Sequence, residues 1–479
     1  MNTSKRIIKN TFSLLLSGVG ALFFSFISIV YLARTLGPGD FGKINFALAV
    51  ISYFNICVDF GLPLIGTREL ARNKEKIGEY AGSILLLRFL LAVVSFISLL
   101  ILAYFLNQSP EVKKLLILYG IGLFFTALLT DWVYQGLEKM EYIGLGRILS
   151  AIFYMGLVLY FVKKNEQLLL VPCFQIIGYL LSAGLLFWLL IKYFCKPQLK
   201  NDFVLWKYLL HQALPVALSI FMIQVIYNAD TVMLGLIKGS NEVGYYNAAY
   251  KIIMVLILSG ATYFDATFPI ISNYYQISLE SLKGFQSHTA RLILIISLPL
   301  GVGGTILAKP IISLIYGTEY TQGIVAFEIL IWVVVLIYIN MIYARGLWAC
   351  NKQNEYLKIV ATQAAANVIL NVFMIPLWGL KGAAFTTLIA EAIGLFWYYS
   401  EFKKIVQVPL SVYVLKPFFA SILMGLFLYW GCVIKNLNLF LLISMGVVIY
   451  LFVIFLVKGI TLKDLNLIKG HVSGEMRGA

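Results

Sequence analysis

The chain has 479 residues, 61% of them hydrophobic and only 12% charged, with a formal net charge of +15 and a mean hydropathy of +0.89. Soluble proteins carry about 25% charged residues, so this chain has too little polar surface to coat a water-soluble body. Apolar runs long enough to cross a hydrocarbon core of ~30 Å recur from end to end, which excludes cytosolic enzymes and secreted domains.

Fourteen apolar runs bounded by charges read as membrane-spanning helices. They begin near Thr11, Phe41, Tyr80, Leu115, Gly144, Leu168, Leu209, Tyr245, Thr289, Ile324, Leu357, Gly382, Pro417 and Leu439. The first runs from Thr11 to Ala33, longer than a signal-peptide core and with no cleavage site after it, so it is expected to remain as a span. The expected fold is an all-α polytopic membrane protein. A six-helix lobe fills residues 1–200, a second fills 201–400, and residues 401–479 hold two further helices and a polar cytoplasmic tail from Lys458 onward. The stretches Lys192–Lys207 and Glu401–Lys416 read as amphipathic surface segments. No loop is large enough for a separate catalytic domain.

With the amino terminus inside, 25 of the 37 Lys and Arg residues fall in inner stretches and 11 in outer ones, and Arg88 falls within a span. Basic residues are retained on the cytoplasmic side, so both termini are expected there. The positive charge therefore reads as topology and contact with anionic lipid headgroups, not as a nucleic-acid surface. The five cysteines form no C-x-x-C pair and the three histidines are scattered. No metal centre, cofactor or disulfide framework is expected. There is no G-x-x-x-x-G-K-[ST] phosphate loop either.

An internal repeat emerges at an offset of 202. Leu32, Gly37, Asp40, Gly42, Asn45 and Ala47 fall on Leu234, Gly239, Glu242, Gly244, Asn247 and Ala249. Both stretches join an outward helix to an inward one, as parallel halves of a carrier would. Gly37–Gly42 also fits G-x-G-x-x-G, but a dinucleotide site needs a preceding strand. What precedes it here is a membrane-length apolar run, so a tight outer turn is the better reading.

Ionisable residues inside spans are costly and mark pathways or relays. Arg88 lies about two turns inside the third span, either snorkelling to the inner interface or facing a watery cavity. Asp230, in the seventh span, and Glu391, in the twelfth, should face the bundle interior and are candidates for ion coupling. Their alternative is a structural hydrogen bond or ion pair between helices. Asp265 and Glu328 lie nearer helix ends. Arg34, Lys251, Arg291 and Arg345 stand at or just inside helix ends, where most such residues anchor at headgroup level. Lys251 ranks first among them because it follows the repeated turn.

Several stretches resemble the Wzx-type polysaccharide flippases of the multidrug/oligosaccharidyl-lipid/polysaccharide exporter superfamily. They are Leu36-Gly37-Pro38 through Gly42, Asp59-Phe60-Gly61-Leu62, Thr67-Arg68-Glu69 and, most specific, Asp131 through Met140. Asn228-Ala229-Asp230, Val243 through Lys251, and the Pro376, Gly379 and Gly382-Ala383-Ala384 turn add to the likeness, which covers roughly the first four hundred residues. The resemblance implies a non-enzymatic flippase in a bacterial plasma membrane. Such a protein carries undecaprenyl-pyrophosphate-linked oligosaccharide outward by alternating access for O-antigen, capsule or exopolysaccharide. It further implies contact with membrane lipids, H+ or Na+ as coupling ion, and polysaccharide polymerase machinery as partner. Lys251 matches a position where the related lipid II flippases use an arginine. On this reading Arg88, Lys251, Arg34 and Arg345 hold the pyrophosphate and glycan, and Asp230 and Glu391 couple to an ion. The rival readings are an ion-coupled multidrug exporter of the same superfamily, or a membrane polysaccharide polymerase or ligase.

Overall fold

The computed structural model describes residues 3–199, 201–435 and 437–459, with the side chains of residues 3–15, 433 and 434 excepted. Sixteen α-helices follow one another among these residues. The first eight are α1 (Thr3–Asp59), α2 (Leu62–Arg72), α3 (Ile77–Phe105), α4 (Pro110–Ala127), α5 (Asp131–Gly136), α6 (Met140–Phe161), α7 (Leu170–Tyr193) and α8 (Phe203–Ile237). Then come α9 (Ser240–Ile277), α10 (Leu279–Ile306), α11 (Ala308–Tyr316), α12 (Ile324–Ala349), α13 (Gln353–Trp378), α14 (Leu380–Lys403), α15 (Ser411–Tyr429) and α16 (Leu439–Leu456). The described residues hold no strand. In hydrocarbon every backbone group must be paired within its own segment, and helices meet that demand.

Among the described residues thirteen stretches are long and apolar enough to cross a membrane. The first, Leu16–Arg72, runs through α1 and α2 with a turn at residues 60 and 61; its part up to Asp59 alone is about twice the ~20 residues one crossing needs. Gly37 breaks it at φ 70°, with Pro38 next. Proline cannot continue the hydrogen-bond ladder and glycine tolerates positive φ. Two crossings therefore share this stretch, and the fourteen expected spans are accounted for. The expected tail lies outside the described residues from residue 460 onward.

The chain forms two compact units, Met1–Asn247 and Ala248–Ala479. In the first, α1 packs on α4, α6 and α8, and α7 covers α4 and α6. Its most specific sequence stretch, Asp131–Met140, is a packing element. Trp132 is buried against Gly66, where a Cβ would stand 2.5 Å from the indole. The Thr67 hydroxyl donates to the Trp132 carbonyl at 3.0 Å, and the buried Tyr134 hydroxyl donates to Leu186 O at 2.5 Å. The Lys192–Lys207 stretch is largely exposed at its start. After α7 the chain is non-helical over residues 195–199, and it lies against α3, with Gln198 N–H donating to Gly78 O at 2.8 Å. Gly82 permits this approach, since a Cβ there would meet the Gln198 carbonyl oxygen at 1.9 Å.

The repeat at offset 202 is physical. Gly37 and Gly239 both adopt positive φ, 70° and 89°. The buried Asn45 side chain donates to Phe41 O at 2.8 Å, and the buried Asn247 donates to Val243 O at 3.0 Å, the matching carbonyl. The two turns also pack against each other reciprocally. A Cβ on Gly42 would lie 1.8 Å from Ser240 O, and one on Gly244 would lie 1.9 Å from Pro38 O. In the second unit α12 and α13 pack on α14, α10 packs on α12 and α15, and α15 pairs with α16.

Candidate functional site

Arg88 is buried, with 3% of its surface exposed. Its guanidinium donates to Leu129 O and Thr126 O, each at 2.8 Å, and pairs with Asp59. Residues 128–130 interrupt the helix between α4 and α5, which leaves carbonyls without intrahelical donors. Arg88 donates to the Leu129 carbonyl, adds a second donor at Thr126 O beside Leu129 N–H, and so fastens α3 to that break. Neither sequence-based alternative describes it: it does not snorkel, and it offers no open face to a cavity. The group it presents outward is Asp59, whose side chain is 47% exposed.

Asp230 sits 2% exposed on α8. The Tyr246 hydroxyl donates to its Oδ2 at 2.7 Å, and Asn247 Nδ2 donates to the neighbouring Thr231 Oγ1 at 3.1 Å. Both donors belong to the start of α9, one turn past the Gly239–Gly244 turn. Glu391, on α14, is buried between two amides. Asn340 Nδ2 on α12 donates to its Oε2 at 2.7 Å and Gln363 Nε2 on α13 donates at 3.3 Å. Neutral donors on either side satisfy this carboxyl at modest strength, an arrangement compatible with either protonation state.

Arg34 is exposed, three residues before the Gly37 break. Arg345, on α12, pairs with Asp265 of α9 at 2.6 Å, and both side chains are accessible, 30% and 63% exposed. Lys251 is half-buried on α9. Lys251, Leu258, Thr262 and Asp265 recur at i, i+7, i+11 and i+14, one helical face, and the last three are exposed. Fourteen residues of rise separate Lys251 from Asp265 by about 21 Å. This face is mixed: Thr262 and Asp265 are exposed polar residues, Leu258 is an exposed apolar one, and Lys251 is half-buried. The structure thus brings Lys251 and Arg345 onto one unit, while Arg34 and Arg88 belong to the other. Arg291 lies elsewhere, its Nε donating to Gly459 O at 3.0 Å beyond the end of α16.

Each unit also holds a cavity. The first has one of about 410 Å³ whose largely apolar wall carries polar groups, among them Ser25, Asp131, Arg147, Ser150, Gln175 and Tyr179. Arg147 pairs there with Asp131 at 3.3 Å. The second has an apolar groove of about 390 Å³, lined by Leu256, Ile296, Gly303, Ile331, Leu428 and Tyr450 among others. Sequence reasoning missed Asp59, the Asp131–Arg147 pair and the amides around Glu391. An acid closing one span and an arginine inside the next was the available signal for Asp59.

The chain is similar to known proteins across most of its length. It is 26% identical over 408 residues to a putative O-antigen transporter of Escherichia coli K12, covering 82% of this chain and 96% of that protein. It is 22% identical to the capsular polysaccharide biosynthesis protein CapF of Staphylococcus aureus, covering 83% and 100%. Among solved structures, the lipid II flippase MurJ in an inward closed conformation superposes with a TM-score of 0.76 at 16% identity, covering 93% of this chain and 98% of that one. An inward-facing multidrug resistance transporter of the MATE family reaches 0.66 at 15% identity, covering 80% and 95%. At such identities these two likenesses concern the fold. Residues 7–275, more than half of the chain, match the family described as polysaccharide biosynthesis protein, and the chain belongs to that family, as a Wzx-type member of the multidrug/oligosaccharidyl-lipid/polysaccharide exporter superfamily.

Proposed function

We propose that this protein is a transporter, not an enzyme, and that it flips lipid-linked oligosaccharide from the inner to the outer leaflet of a bacterial plasma membrane. The carrier lipid in this reading is undecaprenyl pyrophosphate, the movement is alternating access, and both termini are cytoplasmic. The six-helix lobes 1–200 and 201–400, with residues 401–479 appended, are the moving parts. A polymerase consuming flipped units at the outer face is the expected protein partner.

One observation carries the reading. Within a single unit, an accessible ion pair joins Asp265 of α9 to Arg345 of α12, while α10, α15 and α16 help to wall an apolar groove. A substrate with a pyrophosphate-glycan head and a polyprenyl tail needs both surfaces at once. Lys251 and Arg345 are the head-binding cations of one unit, Arg34 is that of the other, and Arg88 acts through Asp59 by fixing its position. Asp230 and Glu391 are the groups through which a proton or sodium gradient gives direction. A multidrug exporter would be expected to favour acidic, aromatic walls over these cations.

The test is reconstitution into proteoliposomes with a polyprenyl-pyrophosphate-linked oligosaccharide in the inner leaflet, followed by an impermeant glycan-modifying reagent outside. Protein-dependent exposure of the glycan is expected. Exposure at the rate of protein-free vesicles refutes the proposal.

A further inference from the structure

The accessible pair between Arg345 and Asp265 has a consequence for how an anion is taken up and let go. Arg345 donates to Asp265 Oδ1 at 2.6 Å, and about a third of its side chain remains open, 30% exposed. Arg88 is the contrast, its guanidinium committed to two backbone carbonyls as well as to a carboxylate. An exposed pair is held weakly, since water competes for both members. A pyrophosphate offers the same planar two-oxygen match to a guanidinium as a carboxylate does, with more charge. Asp265 and the phosphate groups therefore compete for the same donors.

We propose that Asp265 is a positioning residue that cages Arg345 when no anion is present and recaptures it when the anion leaves. The inference rests on the flippase reading above and deepens it by naming the group that sets release. The position along α9 fits the task. Asp265 lies about 21 Å from Lys251 on the same face, toward the end of the helix that the basic-residue count places inside. An incoming head displaces Asp265 from Arg345 first, then moves on to Lys251, and Asp265 closes behind it. Without the cage, Arg345 keeps its anion longer.

The test uses purified full-length protein, with inorganic pyrophosphate as the probe for binding and the proteoliposome assay for turnover. Asp265→Asn should tighten pyrophosphate binding about two- to fivefold, the range that corresponds to an exposed ion pair. The same variant should lower turnover at saturating substrate while lowering KM, a split that a purely structural role would not give. Asp265→Glu should restore the wild-type pattern. In an Arg345→Gln background, Asp265→Asn should no longer tighten binding. Equal tightening with and without Arg345, or unchanged affinity in Asp265→Asn, overturns the cage and leaves the flippase reading standing. Wild-type protein that binds no pyrophosphate and moves no lipid-linked glycan overturns both.

Discussion

Replacing Gly42 by alanine puts a methyl group where the chain has no room for one. The added Cβ would lie 1.8 Å from Ser240 O, 2.7 Å from Ser240 C and 2.9 Å from Gly244 N. Ordinary contact begins at 3.4 Å, so the two turns must part by about 1.6 Å. All three obstructing atoms are backbone, and no rotamer change can absorb the clash. Overpacking of this kind costs about 1–3 kcal/mol, and the rigid obstruction places Gly42→Ala at the upper end. A heat-unfolding curve in detergent should fall by several degrees. Gly244→Ala should fall equally, because its Cβ meets Pro38 O at 1.9 Å in the same way. Gly18→Ala and Gly156→Ala are internal controls, since nothing lies within 4 Å of a Cβ at either position. Helix propensity alone should make them neutral or up to about 1 kcal/mol more stable. Gly42→Ala melting with the controls would refute the reciprocal packing.

Reporter fusions after Lys74, Lys200 and Lys463 should read cytoplasmic and those after Gln108, Lys164 and Asn241 external; an external reading after Lys200 would break the proposed six-helix halves. Arg88→Ala should destabilise by about 1–3 kcal/mol, as leaving the Leu129 carbonyl without its donor does, and a heat-unfolding curve indistinguishable from wild type would refute its fastening role. Asp230→Asn should retain substrate binding but lose the response of transport to an imposed proton or sodium gradient; a variant with the full gradient response makes Asp230 structural. Glu391→Gln should keep the fold, because an amide can still accept from Asn340 and Gln363, whereas Glu391→Leu should melt earlier by removing the side-chain acceptor that both amides share.

The spans were legible because hydrocarbon imposes a length and a composition on every crossing, and the paired turns because glycine marks backbone that other residues cannot follow. Gly37 and Gly239 carried that signal directly. The partners of the charges were not legible. Arg88 reads alike whether it snorkels, faces water or fastens a helix break, and only the fold brings residues 126 and 129 to it. Asp265 and Arg345 are eighty residues apart, and no local pattern links them. The specificity of Asp131–Met140 was visible in sequence, but its purpose was not. Trp132, Tyr134 and Gly136 are constrained by α2 and α7, which lie far away along the chain.

Residue 42 meeting 240 while 244 meets 38 is the isologous contact of a symmetric homodimer, written within one polypeptide. In a homodimer any change falls on both partners at once. Tandem copies escape that restriction and can specialise separately. The structure records where they have done so: Asp230 corresponds to Ser28, Thr231 to Ile29 and Tyr246 to Ile44. The first copy keeps a hydroxyl and two aliphatic side chains at the sites where the second carries a buried carboxyl and the tyrosine that binds it. The two halves thus share the tight turn, while only the second carries an ionisable group at this place.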